Sequence, residues 1–339
     1  MNILTFNYYK TSILYVNEKE VIIKMNDCLV YFFTGFLDSG KTSVICSWIG
    51  GENFKGKKIV VIATEEGEEE YVQENYEGAD PVIISCETKD VNKKLTFDIE
   101  KQHKPDVIFI EWNGSVSPAE FFDKCDVPRR WALAAAIVVI DASTYSIYYK
   151  NMQTLFADYF RFSDTVIFNR VDTERDNIPK LRGSVKSVNP SMSINFLSVD
   201  NKIINIADHL PYDLNQDPCE ISADDFGLFY TDAIDNVKRY NGKRVSLIGE
   251  AVILREFRGK AFVLQRQAFT CCAADVGIMG ILCMKDISSN FPKGQWLKVT
   301  GRIKYFEDNQ NGQKVAVPCL DVEDYAITSK PDNDIIYFN

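Results

Sequence analysis

The chain has 339 residues, of which 46% are hydrophobic and 25% are charged, and its formal net charge is -10. This length is typical of two domains, and the composition is that of an ordinary globular protein. The acidic balance argues against a protein whose main activity is to bind nucleic acid through phosphate contacts.

Cysteine usage and hydropathy narrow the setting further. The chain has 9 cysteines, an odd number, and most are isolated, which argues against a disulfide framework and favours a reducing, cytoplasmic setting. No apolar run approaches the length of a membrane-spanning helix, so we expect no membrane span. Residues 1–24 have polar interruptions and no cleavage site, and we treat them as an N-terminal extension rather than a signal peptide.

Residues 25–208 alternate short apolar runs with helical stretches. The runs are unbroken and rich in Val and Ile, as in a parallel sheet that is covered on both faces. The predicted strands are 28–34, 58–64, 81–85, 106–111, 135–141, 165–169 and 193–198. The predicted helices are 41–50, 88–103, 118–125, 143–161 and 174–188. This order predicts a doubly wound α/β domain with a mostly parallel sheet.

The pattern changes after this domain. Residues 209–225 contain two prolines and several acidic residues, and we predict a linker there. Residues 226–339 begin with a short helix, near 228–239, and continue as strands separated by glycine-rich turns. They predict a small all-β domain, either an OB-like barrel or a sandwich.

The first strand is followed by GFLDSGKTS, which fits the pattern G-x-x-x-x-G-K-[ST]. The backbone N–H groups of such a loop surround phosphates, and the helix that follows adds the positive end of its dipole. We predict that Lys41 reaches the β- and γ-phosphates and that Thr42 binds Mg²⁺. The predicted nucleotide-binding residues of this loop are Gly35, Phe36, Leu37, Asp38, Ser39, Gly40, Lys41, Thr42 and Ser43.

Asp38 adds a carboxylate to a loop that is built for anions. Because the loop binds phosphate through its backbone, side chains at the variable positions can point away. We expect Asp38 to face outward over the nucleotide, where a basic residue of a partner or a second cation could meet it.

A second element, DVIFIEWNG, is a hydrophobic strand that ends in Glu111, with Gly114 shortly after it. A carboxylate at this strand end can hold Mg²⁺ through water or orient the attacking water, and the Gly114 N–H can reach the γ-phosphate. We therefore predict Lys41, Glu111 and Gly114 as catalytic residues and 114–117 as a switch segment.

A third element, FNRVD, follows a later strand. An N-[KR]-x-D turn reads guanine, because the Asp accepts hydrogen bonds from N1 and N2 while the Asn faces the O6/N7 edge. We predict this role for Asn169, Arg170 and Asp172, with the arginine lying along the base plane. The three elements stand in the order that a GTPase requires.

The N-terminal half resembles the CobW-like GTPases over residues 26–200. GFLDSGKTS resembles their GF-L-x-x-GKTT loop, and FIEWNGSVSP resembles I-E-x-[ST]-G-x-x-x-P, matching Glu111, Gly114 and Pro118. ATEEGEEEY resembles N-E-[FW]-G, with Glu66 and Gly67 matching, and FNRVD takes the N-K-x-D place. This resemblance implies a GTPase that delivers zinc, cobalt or nickel.

One difference from the CobW-like sequences concerns metal binding. The family carries a C-x-C-C metal motif between its second strand and the I-E strand, where this chain has only Cys86. A single thiolate cannot fill a tetrahedral zinc site. Glu66 and Cys86 remain candidate metal ligands, with a solvated acidic face and a buried strand-end cysteine as the alternatives.

Residues 240–339 resemble the C-terminal domain of YcgQ-type proteins, which are partners of permeases. The resemblance rests on TCCAAD, GQWLKVTGRI and the terminal PDNDIIYF. Within this stretch Cys271, Cys272 and Cys283 are candidate metal ligands. Core cysteines are the equally weighted alternative, since adjacent cysteines in a strand point to opposite faces.

Together these elements lead us to expect a GTPase that uses GTP and Mg²⁺, with Zn²⁺ or another transition metal as a further ligand. The expected partners are a metal-receiving protein or a permease, without nucleic acid, and a homodimer is a candidate assembly. The alternative is a nucleotide-sensing protein that does not turn over and binds a metal or partner through the cysteines of its β domain.

Overall fold

A computed structural model describes most of the chain, and its described residues fall into two compact units. The first unit runs to Asp176 and includes Ser191–Ile204, and the second consists of Asn177–Pro190 and the chain from Asn205 onward. The residues that the structure describes are 27–67, 69–72, 76, 79–189, 191–205, 209–269, 276–288, 290–310 and 313–336.

The first unit is built on a parallel sheet. Within the described residues it has the strand order β3-β2-β4-β1-β5-β6-β7, and each neighbouring pair is parallel. The strands are β1 Cys28–Thr34, β2 Ile59–Ala63, β3 Val82–Ser85, β4 Val107–Glu111, β5 Trp131–Asp141, β6 Thr165–Val171 and β7 Ser193–Ser198. The predicted α/β class and parallel sheet are confirmed.

Both faces of this sheet are covered. Along β1, Tyr31 and Phe33 belong to one buried cluster, whereas Val30 and Phe32 belong to another. Successive strand residues point to opposite faces, so the unbroken apolar run in β1 serves two cores. The helices of this unit are α1 Lys41–Ile49, α2 Lys93–His103, α3 Ala119–Phe122, α4 Ala142–Asn151 and α5 Gln153–Phe162.

Two predicted elements differ from the observed ones. The helix predicted at 143–161 is two helices, because Met152 leaves the helical conformation with φ -133° between α4 and α5. The strand predicted at 135–141 starts at Trp131, since its alanine-rich beginning pairs with β1. In both places a local propensity is overridden by tertiary contacts.

The second unit contains a closed β-barrel. Strands β9 Arg244–Val252, β10 Ala261–Phe269, β11 Val276–Met284, β12 Trp296–Gln310 and β13 Gln313–Ile327 pair in the cyclic order β9-β10-β11-β13-β12. Pair β11–β13 is parallel and the others are antiparallel, which is the strand arrangement of an OB-fold. The short strands β8 Cys219–Glu220 and β14 Ile335–Ile336 extend this sheet.

The barrel core draws on residues before the first barrel strand. Residues 209–225, for which the sequence predicts a linker, contribute Tyr212, Cys219 and Ile221 to the buried cluster. Two helices, α7 Phe226–Asp235 and α8 Val237–Tyr240, follow and pack against the same core.

Helix α6, Ile178–Val188, lies between β6 and β7 in the sequence but belongs to the second unit. Its buried Arg182 donates to Thr231 Oγ1 at 2.9 Å and lies 3.7 Å from Asp232 Oδ1. Asp232, 1% exposed, also accepts hydrogen bonds of 2.6 Å from Arg239 and from Tyr240. This buried carboxylate of α7 therefore gathers donors from α6 and α8.

Asp232→Asn is expected to destabilise the second unit by about 3 kcal/mol, because removing one partner of a buried charge network leaves the other charges uncompensated. Hydrogen exchange of the α7 amides in the full-length protein would measure this loss locally. The matched control is Glu220→Gln, which removes one carboxylate from an exposed pair with Lys298 and should change exchange much less. Equal exchange in the two variants would contradict the prediction.

Candidate functional site

The loop between β1 and α1 depends on glycines for its shape. Gly35 has φ +128° and Gly40 has φ +99°, a region that favours glycine. A Cβ on Gly35 would lie 2.0 Å from Val139 O, and one on Gly40 would lie 2.4 Å from Asn169 Nδ2. The backbone of this loop therefore approaches its neighbours more closely than any side chain would allow.

The loop presents unused polar groups at the start of α1. Gly40 is the N-cap of this helix, and no side chain caps its first turn. The N–H groups there are available to an anion, which the helix dipole also favours. Ser39 Oγ is buried and has no hydrogen-bond partner within the described part of the chain. These features fit a phosphate group.

Lys41 carries the positive charge of the loop. The side chain is buried, and its Nζ donates to Gly35 O at 2.7 Å and to Phe36 O at 2.8 Å. It also forms an ion pair with Glu65. A buried ammonium needs such partners, because transfer from water is costly unless the charge is compensated.

Glu111, at the end of β4, lies beside the first helical turn. Its Oε1 accepts from Thr42 Oγ1 at 2.7 Å, and its Oε2 accepts from Tyr71 at 2.6 Å. Burial raises the pKa of this carboxyl, while the hydrogen bonds from Tyr71 and Thr42 act in the opposite sense. Burial also raises the pKa of the Tyr71 hydroxyl, with Glu111 adding to the effect.

Thr42 and Glu111 together offer hard oxygen donors, which suit Mg²⁺. One hydroxyl and one carboxylate leave most of the octahedral positions to water and phosphate, as is usual for this ion. The residues therefore fit the predicted Mg²⁺ site.

Gly114 is pressed against the phosphate loop. A Cβ here would lie 2.0 Å from Gly35 O, so only glycine fits. The Gly114 N–H donates to Glu65 Oε2 at 3.2 Å, and its carbonyl accepts from the buried Tyr159 hydroxyl. The predicted switch segment thus begins in direct backbone contact with the loop.

The other end of the loop meets the residues that follow β6. Asn169 Nδ2 donates to Ser39 O at 3.1 Å. Arg170 Nη1 donates to Asp38 O at 2.8 Å and to Asp141 Oδ2 at 2.6 Å. The Asp172 carboxylate accepts from the Glu174 N–H at 3.0 Å and is only partly exposed. Two of the predicted guanine-reading residues, Asn169 and Arg170, therefore contact the phosphate loop, whereas the Asp172 carboxylate contacts the residues that follow it in the chain.

Seven of the predicted residues and three additional ones line one cavity. It is lined by Leu37, Asp38, Gly40, Lys41, Thr42, Glu65, Gly67, Glu69, Glu111 and Arg170. Asp38 faces the segment after β2, since a Cβ on Gly67 would lie 3.3 Å from its Oδ1.

Sequence reasoning missed the role of Glu65. The run TEEGEEEY indicates a solvated acidic face, and Glu66 is its predicted ligand. Glu66 is exposed, however, whereas the side chain of Glu65 is only 8% exposed and pairs with Lys41. Glu69 contacts Ser43, and Tyr71 contacts Glu111. The available signal was position: Glu65 follows the carboxyl end of β2, at the sheet edge where the site lies.

Of the predicted cysteine ligands, the structure describes Cys86 and Cys283. Cys86 is partly exposed and packs against a buried apolar cluster of the first unit, and burial raises its pKa. Cys283 is fully buried in the barrel, where burial also raises its pKa. Cys271 and Cys272 lie outside the described residues, and within those residues no group of three or more His, Cys, Asp or Glu side chains could hold a metal ion.

Comparison with known proteins places both halves in families. Residues 29–196 match the model described as "CobW/HypB/UreG, nucleotide-binding domain", and residues 200–338 match the "DUF1980 C-terminal domain". No curated protein matches the chain in sequence.

Several solved structures have a similar fold. Hydrogenase maturation factor HypB from Archaeoglobus fulgidus is 16% identical, with 52% of this chain and 85% of that one covered and a TM-score of 0.40. A Zn(II)-bound triple mutant of the YjiA GTPase is 16% identical, with 88% and 90% covered and a TM-score of 0.40. HypB from Helicobacter pylori in complex with nickel is 15% identical, with 52% and 80% covered and a TM-score of 0.37.

Residues 29–196 therefore correspond to a CobW/HypB/UreG nucleotide-binding domain, and residues 200–338 correspond to a DUF1980 C-terminal domain. This confirms the two resemblances found in the sequence. Among the helices that the structure describes, none is both long and apolar enough to cross a membrane.

Gly114→Ala is expected to weaken nucleotide binding by at least about tenfold, because the new methyl group would displace the backbone at Gly35. Calorimetric titration with a guanine nucleotide would measure the change. Ser115→Ala is the matched control, since Ser115 is exposed and its hydroxyl donates to the neighbouring Asn113 Oδ1 at 2.7 Å. Unchanged affinity in the Gly114 variant would contradict the prediction.

Glu111→Gln is expected to stabilise the nucleotide-free protein at neutral pH. The folded-state pKa of Glu111 is raised above its unfolded value of about 4.3, so the native state holds more protons between the two values and stability falls as pH rises through that window. The variant should lose this decline. Thermal unfolding midpoints across the acidic to neutral range would measure it.

Glu120→Gln serves as the control for this pH series, because Glu120 pairs with Lys124 at the surface. It should leave the pH dependence of the midpoint unchanged. A wild-type slope retained in Glu111→Gln would show that burial of Glu111 does not cause the decline.

Proposed function

We propose that the N-terminal domain binds GTP with Mg²⁺ and hydrolyses it. The observation that carries this proposal is the convergence of the phosphate loop, the Thr42–Glu111 pair and the Asn169–Asp172 turn on one cavity edge. Each of these has a separate task in a GTPase, and they come from distant parts of the sequence.

In this proposal the loop between β1 and α1, together with Lys41, binds the phosphates. The backbone N–H groups at the start of α1 hold the β-phosphate, and Lys41 neutralises the β- and γ-phosphates. Thr42 and Glu111 would hold Mg²⁺, which when bound offsets the phosphate charge. The Gly114 N–H donates to the γ-phosphate, and Glu111 also orients the attacking water.

In this proposal the turn that contains Asn169 and Asp172 selects the base. Asp172 accepts from guanine N1 and N2, which adenine cannot supply in the same pattern. Asn169 also supports the loop through Ser39 O, so one residue serves both ends of the nucleotide. Arg170 pairs with Asp141. In this proposal its guanidinium lies along the plane of the base.

The second part of the proposal concerns what turnover drives. The CobW/HypB/UreG domain and the YcgQ-like C-terminal half support delivery of a metal such as zinc, cobalt or nickel, or regulation of a metal transporter or permease. Of the matched structures, the YjiA GTPase mutant is Zn(II)-bound and the Helicobacter pylori HypB is in complex with nickel.

The alternative is a nucleotide-sensing protein that does not hydrolyse GTP and binds a metal or partner through its β domain. One observation favours it: the described residues of the GTPase domain hold no cluster of three metal-binding side chains. Release of phosphate from GTP, measured on the full-length protein with Mg²⁺, separates the two functions.

Binding measured for GTP, ATP and xanthosine triphosphate tests the core of the proposal. Wild-type protein should prefer GTP over ATP, and Lys41→Ala should abolish binding of both. Asp172→Asn should weaken GTP by at least about tenfold and strengthen the xanthine nucleotide, because an amide can donate to the oxygen that xanthine carries at C2.

Asp123→Asn is the matched control, since Asp123 follows α3, is exposed and belongs to none of the three nucleotide-binding motifs. It should leave all three affinities unchanged. Equal affinity of the wild type for GTP and ATP, or binding that survives in Lys41→Ala, would overturn the proposed function.

A further inference from the structure

The Glu65 carboxylate lies between two elements of the nucleotide site. Glu65 follows β2 and lines the cavity, with 8% of its side chain exposed. One of its oxygens, Oε1, pairs with Lys41 Nζ, and the other, Oε2, accepts from the Gly114 N–H at 3.2 Å. Both oxygens are thus engaged by donors from different elements.

These two donors are the ones that the proposed function gives to the γ-phosphate. Lys41 comes from the phosphate loop, and Gly114 comes from the turn after β4. A carboxylate held between an ammonium and a backbone N–H has the charge and the donor arrangement of a bound phosphate oxygen pair. Glu65 therefore sits where an anionic ligand would place its terminal phosphate.

We propose that the Glu65 carboxylate stands in for the γ-phosphate and must leave when a nucleoside triphosphate binds, so that Glu65 sets the preference between diphosphate and triphosphate. This inference rests on the proposed function. Two anions cannot share the same donors, because like charges repel and each would lose its partner. A diphosphate has no terminal group at this position and leaves Glu65 in contact with Gly114.

The Mg²⁺ residues argue against a different role for Glu65. The hydroxyl of Thr42 is taken by Glu111 and not by Glu65, and the second oxygen of Glu111 is taken by Tyr71. Glu65 faces the lysine side of the cavity instead. It is placed to compete with a phosphate rather than to bind the cation beside it.

The competition has a predictable size. If an internal group occupies a binding site, the apparent affinity of the ligand is its intrinsic affinity multiplied by the fraction of time that the site is free. A Glu65 that occupies the donors for about nine-tenths of the time would weaken triphosphate binding on the order of tenfold. The affinity for a nucleoside diphosphate would not be reduced.

The experiment compares GDP with a non-hydrolysable GTP analogue on full-length protein in Mg²⁺, by calorimetry. Glu65→Gln and Glu65→Ala should tighten binding of the analogue on the order of tenfold and leave GDP within about twofold. The matched control is Glu52→Gln, which removes one exposed carboxylate beyond the far end of α1 and should change neither affinity.

The outcomes are distinct. If both nucleotides bind the wild type and neither Glu65 variant shifts the ratio of their affinities, this inference is overturned while the proposed function stands. Weaker analogue binding in both variants would also overturn it, because Glu65 would then assist the triphosphate. Absence of guanine nucleotide binding by the wild type would remove the proposed function and this inference with it.

Discussion

The buried ammonium group of Lys41 is the constraint around which the nucleotide site is arranged. A charge removed from water must find compensating partners, and here they are two loop carbonyls and the carboxylate of Glu65. The same requirement makes the site selective, since a ligand that places a terminal phosphate between Lys41 and Gly114 must replace the carboxylate that is held there. The positive charge of Lys41 can therefore be compensated either by Glu65 or by a bound phosphate.

This balance depends on close backbone contact. Gly35 and Gly114 touch without room for a methyl group, which joins the phosphate loop to the turn after β4. Tyr159 fixes the Gly114 carbonyl, and Thr64 donates to Glu111 O at 3.0 Å and accepts from Asn113 N at 2.8 Å. Parallel strands place all of these groups at one edge of the sheet, so that residues far apart in the sequence can contact the same anionic group.

Much of this arrangement could be predicted from the sequence, and the exceptions have physical causes. Unbroken apolar runs identify the strands of a parallel sheet, and the phosphate loop is recognisable from its spacing. The role of Glu65 could not be separated from that of Glu66, because adjacent acidic residues look alike until a fold buries one of them. Likewise, α6 has the position of a sheet-covering helix, but Arg182 joins it to the buried network of the second unit.

The barrel limits which cysteines can serve a metal. A thiol binds metal as the thiolate, and burial makes that form costly. Cys283 is fully buried among apolar side chains with a raised pKa, and it lies in a strand whose ends are held by pairing on both sides. To bind an exchangeable ion it would have to open the barrel core. Any metal site in the second unit would therefore have to use sulfur or oxygen ligands that are more accessible than Cys283. Cys283 itself is better explained as part of the apolar packing inside the barrel.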